Sequence, residues 1–165
     1  RSAPIEVGRL ASGYDVIIND ESVVNPFIAS SYLVNVARAA TEGKASSGDR
    51  AFSLYEWVER NITYSKKPDT YRNSKETLEE RMGICGEMAF VYITMARSCG
   101  LRSAYVSVTE DYNGKEVNHG CAVTDIGLRD VLVDPAYHEF DVKHRQYQVR
   151  TDAEVLQMFN SWRRA

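Results

Sequence analysis

Hydrophobic and polar positions follow a helical spacing through the first half of the chain. Apolar residues recur three or four positions apart in several stretches, which predicts amphipathic helices. The predicted helices cover residues 27–41, 49–63, 74–81 and 85–98. The last one is apolar on nearly every side, so we expect it to be buried and central. Asn25 is expected to cap the first helix and Pro26 to open it.

After Gly100 the spacing changes to strict alternation, which is typical of strands. The predicted strands cover residues 103–108, 116–125, 129–134 and 146–150, after an early strand at 14–18. Asn113–Gly114 is a hairpin signal, and Thr151 to Glu154 form a capping box that opens a terminal helix. Helices followed by an antiparallel meander predict an α+β fold.

This order of elements favours a single domain over residues 1–165. We expect an N-terminal strand and helix within 1–45, a core region over about 50–137, and a C-terminal strand and helix within 145–163.

Composition narrows the class of protein without naming an activity. Hydrophobic residues make up 44% and charged residues 26% of the 165 positions, an ordinary globular balance. The net charge of −3 argues against nucleic acid or an anionic membrane as a partner, and no apolar run is long enough to span a bilayer. Because the chain begins with Arg1, an upstream signal or anchor stays open.

The chain contains three cysteines, Cys85, Cys99 and Cys121, so at least one thiol is free. Such a low count argues against a disulfide scaffold and favours a reducing compartment such as the cytoplasm. No cofactor is expected, and the oligomeric state is left open.

Cys85 lies where the segment from Gly83 to Gly86 enters the apolar helix. The partial positive charge of a helix N-terminus favours a thiolate, and its free N–H groups could hold an oxyanion. Gly83 and Gly86 would let a substrate carbonyl approach the backbone. The alternative is a small core cysteine with no chemical role.

His119 and Asp134 fall on neighbouring predicted strands, one hairpin apart. A cysteine nucleophile needs a base, and that base needs a third group to orient it. We therefore predict a triad in which His119 serves Cys85 and Asp134 orients His119. Each could instead be structural, since an Asp-Pro pair suits a strand end. His138 and His144 lie in a polar stretch and are predicted to be solvated.

These segments resemble the transglutaminase-like superfamily, which is related to the papain-type enzymes by circular permutation. The match covers about residues 50–137, a little over half of the chain. It rests on an entry motif into the helix, an exit motif from it, the histidine and an aspartate-proline pair. The matching residues are Thr77, Leu78, Arg81, Gly83, Cys85, Arg97, Gly100, Leu101, His119, Asp134 and Pro135.

The resemblance implies a papain-like or transglutaminase-core fold and acyl-transfer chemistry on a protein or peptide amide, including a glutamine side chain. Tyr64 resembles a tyrosine that lies upstream of the family's cysteine and could line the site. Two tryptophans common in the family are absent here, since Cys121 stands at one position and Arg129 or Asp130 near the other. These differences bear on substrate preference.

Three alternatives remain open at this point. Hydrolysis by a peptidase or deamidase is slightly favoured over cross-linking to an amine, because a domain this small has no evident parts for excluding water. A binding module that keeps the fold without catalysis is the second alternative. A metal site built from Cys85, Cys99, Cys121 and His119 is the third, although its ligand spacing is poor.

Overall fold

The computed structural model describes residues 6–9, 15–18, 25–65 and 70–164. Within them the chain forms five helices: α1 (Ser31–Ala40), α2 (Ser47–Asn61), α3 (Ser74–Glu80), α4 (Cys85–Ser98) and α5 (Asp152–Arg164). The strands there are β1 (Glu6–Arg9), β2 (Asp15–Ile18), β3 (Thr63–Tyr64), β4 (Met82–Gly83), β5 (Ser103–Glu110), β6 (Glu116–Asp125), β7 (Asp130–Asp134), β8 (Glu139–Phe140) and β9 (Gln146–Val149).

Five of these strands form one antiparallel sheet in the order β8-β7-β6-β5-β9. The first four form a meander, and β9 returns to the outer side of β5. Strands β6 and β7 pair from Asp125 opposite Asp130 to Ala122 opposite Val133. Beyond that point their pairing stops, which leaves His119 and Asp134 at the open end of the two strands.

Helix α4 lies at the centre of the fold, against the sheet on one side and against α1, α2 and α3 on the other. Every residue from Gly86 to Arg97 is buried, as its nearly all-apolar pattern predicts. The helix ends at Ser98, and two residues later Gly100 has a φ of +80°, in the left-handed region that glycine adopts without strain. Burial of the whole helix fixes its first residue, Cys85, relative to the sheet.

The first helix begins later than its sequence predicts. Helix α1 starts at Ser31, and the hydroxyl of Ser30 caps it by accepting from the N–H of Leu33 at 3.2 Å. Asn25 caps no helix, because its side chain accepts from the N–H of Phe27 in a local turn. Residues 26–30 are extended and buried instead, and both backbone groups of Ile28 bond to the hydroxyl of Ser74 at 2.7 Å.

The other long elements lie where the sequence places them, and the α+β class is confirmed. The spacing did not predict four short features: β1, the parallel pair of β3 with β4, the 3₁₀ turn Pro135–Tyr137, and β8. Of the described helices, none is both long and apolar enough to cross a bilayer.

Candidate active site

The turn that presents Cys85 is held by a buried ion pair. Glu87, fully buried in the first turn of α4, accepts from the N–H of Ile84 at 3.0 Å. The Arg72 backbone N–H and guanidinium donate to the same carboxylate at 2.7 and 3.0 Å. Because the N–H immediately before the helix is tied to Glu87, the half-buried Cys85 has a fixed position at the start of the helix.

The two glycines near Cys85 pack closely against the protein itself. A Cβ atom at Gly83 would lie 3.0 Å from side-chain carbons of Thr77 and Glu87. A Cβ at Gly86 would lie 3.1 Å from the hydroxyl of Tyr105. The space that a side chain would occupy at each glycine is therefore already filled by other side chains of the protein. Their predicted role of admitting a substrate carbonyl to the backbone stays a prediction.

His119 and Asp134 meet at the open end of β6 and β7. Continuing the pairing by one step places Asp134 opposite Cys121, so that His119 is its diagonal neighbour on the same face. His119 Nε2 lies 2.7 Å from Asp134 Oδ2, and the thiol of Cys85 is near enough to the same ring to help raise its pKa. Since Asp134 occupies Nε2, Nδ1 is the ring nitrogen left for Cys85.

This pairing changes the acid–base behaviour of both partners. Burial disfavours the charged imidazole of His119, but hydrogen bonds with Asp134 and Cys85 outweigh it and raise the pKa of His119 to about 9. Burial also works against the Asp134 carboxylate, yet the bonds from His119 and His144 hold its pKa below the ordinary value. The site is therefore built to keep an imidazolium beside a carboxylate at neutral pH.

His144 is a member of this site, and the prediction that it is solvated is wrong. Its side chain is fully buried, and its Nε2 lies 2.7 Å from Asp134 Oδ2, the oxygen that His119 also contacts. The backbone N–H of Tyr112 donates to its other ring nitrogen at 3.1 Å. His138, predicted to be solvated as well, is indeed exposed and lies 3.1 Å from Glu59.

Tyrosines surround the cysteine and histidine. The ring of Tyr137 packs against His119 with 4.5 Å between centroids, and its hydroxyl donates to Asp111 at 2.9 Å. Tyr64 is half exposed on β3, where burial and the nearby Cys85 raise its pKa. Tyr137 thus supplies an aromatic wall, although both tryptophans typical of the family positions are absent. No pattern in the sequence indicates this contact.

The other two cysteines are not placed to act as the nucleophile. Cys99 is at the far end of α4 from Cys85, about 20 Å away at 1.5 Å per residue. Its thiol contacts Thr41 Oγ1 at 3.5 Å, and burial raises its pKa. Cys121 is fully buried, and burial raises its pKa well above the ordinary value. The four residues of the metal-site alternative therefore do not converge.

One group of three metal-ligand side chains does converge among the described residues: His119, Asp134 and His144, with ligand atoms within 4.8 Å of one another. The contact with Tyr112 argues against a metal there. Because Nδ1 of His144 accepts that N–H, the proton of the neutral ring must be on Nε2, the atom that would have to ligate. The set fits a hydrogen-bonded acid–base cluster better than a metal centre.

A buried helix that presents a thiol to a histidine–carboxylate pair at a sheet end defines a class, that of papain-like and transglutaminase-like α+β proteins. The chain belongs to the transglutaminase-like superfamily, whose family model matches residues 34–155. This confirms the resemblance drawn from the motifs. No curated protein sequence matches the chain.

Solved structures share the fold at low sequence identity. A proposed cysteine protease of Cytophaga hutchinsonii is 15% identical with a TM-score of 0.57, over 72% of this chain and 50% of its own. A proposed protease of Parabacteroides distasonis is 11% identical with a TM-score of 0.53, over 68% of this chain and 27% of its own. LapG of Legionella pneumophila is 12% identical with a TM-score of 0.52, over 81% and 83%. The chain thus spans half or less of the first two structures.

Proposed function

We propose that this protein is a cysteine hydrolase that cleaves an amide bond in a protein or peptide through a thioester on Cys85. The observation that carries the proposal is the 2.7 Å contact of His119 with the Asp134 carboxylate, in a histidine whose pKa the nearby Cys85 thiol also raises. A histidine in this position can take the thiol proton and later give it to a leaving amine.

The reaction runs in two balanced steps. The Cys85 sulfur attacks the amide carbonyl carbon, the C–N bond breaks, and the amine leaves with the proton that His119 gives up. Water then attacks the thioester while His119 removes its proton, and the acid product leaves as the thiol is restored. Asp134 orients His119 and stabilises the imidazolium in both steps. The N–H groups at the start of α4 would hold the oxyanion.

Two considerations favour water over an amine as the acceptor. Two of the structural neighbours bear the name of protease or cysteine protease, which supports hydrolysis by fold similarity only. Cys85 is only half-buried and the nearby Tyr64 is half exposed to solvent, so water can reach the thioester. Transfer to an amine is a separate outcome of the test.

The test compares wild type with Cys85→Ser on a set of peptides and glutamine-containing proteins, with and without a labelled amine. New peptide termini mark a peptidase, conversion of glutamine to glutamate marks a deamidase, and amine incorporation marks a transferase. We expect one of the two hydrolytic products, absent from Cys85→Ser and retained by Cys99→Ser, the matched control on the same helix.

Iodoacetamide labelling read by intact mass provides a second test that needs no substrate. Cys85 should react first, because Cys121 is fully buried and burial raises the pKa of Cys99. A Cys85 that reacts no faster than Cys99, together with no product in the screen, would leave the non-catalytic binding module as the better explanation.

A further inference from the structure

We infer that His144 is a positioning residue of this site, which donates from Nε2 to Asp134 and holds that carboxylate in place as the acceptor for His119. The inference rests on the proposed function, which involves Cys85, His119 and Asp134 alone. Both histidines contact the same oxygen, Asp134 Oδ2, each at 2.7 Å. The side chain of His144 is fully buried, so no water competes for that bond.

The tautomer of His144 follows from its second contact. The backbone N–H of Tyr112 donates to Nδ1 at 3.1 Å, which requires a lone pair on that nitrogen. The ring proton is therefore on Nε2 and faces the carboxylate. A second ring proton, on Nδ1, would face the backbone N–H of Tyr112, and two donors would oppose each other. His144 is thus a fixed neutral donor, whereas His119 is the histidine that can gain and lose a proton.

A neutral donor is the group that suits this position. A cation at His144 would compete with the imidazolium of His119 for the single carboxylate charge. A neutral N–H instead fixes the orientation of Asp134 without supplying that charge. With the N–H of Tyr137 on Oδ1 at 3.2 Å, three donors hold the carboxylate, and one of them is His119. Removing His144 would leave a buried carboxylate with one fewer donor.

The titratable groups that face His144 and Asp134 come from every surrounding element. They are Tyr55 on α2, Cys85 at the start of α4, Asp111 and Tyr112 after β5, His119 and Cys121 on β6, Tyr137 after β7, and Glu139 on β8. Burial raises the pKa of Tyr55, Cys121 and Tyr137, so these three stay neutral in the range of the test. Asp111 is held by Tyr137 and by two backbone N–H groups.

Two substitutions separate the two contacts of His144. The amide nitrogen of His144→Gln can reach the position of Nε2, which keeps the donor to Asp134 and loses the acceptor for Tyr112. The amide oxygen of His144→Asn can reach the position of Nδ1, which keeps the acceptor for Tyr112 and loses the donor to Asp134. His138→Asn, an exposed histidine nearby, is the matched control.

The readout is the pH profile of Cys85 alkylation by iodoacetamide, which requires no substrate. In His144→Asn the rate at neutral pH should fall by about tenfold or more, the size expected for a hydrogen bond to a charged group. Its acid-side limb should also move to higher pH, because Asp134 with one donor fewer takes up a proton more readily. In His144→Gln the loss should be smaller, with the acid limb where wild type has it.

A purely structural role would reverse this ranking, since holding the Tyr112 backbone needs the acceptor that His144→Asn keeps. That reversal, or equal profiles for the two variants, would overturn the inference. Nitrogen NMR of the wild-type histidine rings tests it without any variant. A neutral His144 with its proton on Nε2 supports the inference, and a proton on Nδ1 overturns it. If the alkylation profiles and the NMR result are as expected but no peptide or glutamine is hydrolysed, the hydrolase proposal fails and the role of His144 stands.

Discussion

Replacing Asp134 by asparagine removes the negative charge of the site but can keep an oxygen acceptor for both histidines. The Oδ2 position of Asp134 faces two ring nitrogens, those of His119 and His144, and the Oδ1 position faces the N–H of Tyr137. An NH₂ group at Oδ2 would oppose the fixed N–H of His144. We therefore expect the amide oxygen to face the histidines and the NH₂ group to lie against Tyr137, at the cost of one unsatisfied donor.

The magnitude follows from the pKa of His119. Its contacts raise this pKa from the ordinary 6.5 to about 9, and the bond with Asp134 contributes more than the bond with Cys85. The whole difference corresponds to about 3 kcal/mol, so Asp134→Asn should lower the pKa of His119 by about 1 to 2.5 pH units. Loss of charge stabilisation of this size should reduce kcat/KM by about tenfold to a hundredfold near neutral pH.

The assay is an NMR titration of the His119 ring in wild type and in Asp134→Asn, with Asp130→Asn as the control. Asp130 is an exposed carboxylate on the same strand, so the control repeats the chemical change away from the histidines. A raised pKa stabilises the folded state most below the unfolded value of about 6.5, and this contribution is lost as the pH rises through about 9. The stability gap between wild type and variant should therefore narrow over that window. A His119 midpoint that moves by less than about 0.5 pH unit would refute the reasoning.

Two further predictions concern packing around the reactive helix. Gly120→Ala places its methyl group against the hydroxyl of the buried Tyr105, so the free energy of unfolding, measured by urea denaturation, should fall by about 1–3 kcal/mol. The control is Gly48→Ala, which has open space beside it and should not destabilise the protein. Arg72→Met leaves Glu87 buried and unpaired, which should cost about 3–5 kcal/mol, and adding Glu87→Gln should recover part of that loss. An unchanged urea midpoint in Gly120→Ala or Arg72→Met would contradict the packing described.

The sequence predicts the fold well because most helices and strands are indicated by local apolar spacing and turn residues. Helix α4 is found to the residue, since its apolar run begins at a glycine-flanked turn and ends at a glycine. The strand positions follow from alternation and turn residues. The start of α1 was missed because a tertiary contact decides it: Ser74, distant in sequence, takes both backbone groups of Ile28 and keeps that segment extended.

The candidate site is predictable only in part, for a different reason. Cys85 begins a helix, Asp134 ends a strand and His119 lies within a strand, and the position of each element can be inferred from its pattern. His144 lies in a polar stretch with no periodicity, and polar residues in such a stretch are usually exposed. Its burial is tolerated because Asp134 and the backbone N–H of Tyr112 satisfy both ring nitrogens, and neither partner can be recognised from the local sequence pattern.

The missed residues are joined to the predicted ones by one closed set of contacts. The 3₁₀ turn after β7 places the Tyr137 ring against His119. Asp134, the residue that caps this turn, bonds to both histidines. The hydroxyl of Tyr137 bonds to Asp111, and the next backbone N–H along the chain, that of Tyr112, fixes His144. Each side chain that sets the orientation of His119 is thus itself held by another member of the set. A change that alters the Asp134–Pro135 turn should therefore displace the Asp134 carboxylate, the Tyr137 ring and His144 together. The sequence indicates only a turn at this strand end, yet the turn determines the geometry of the site.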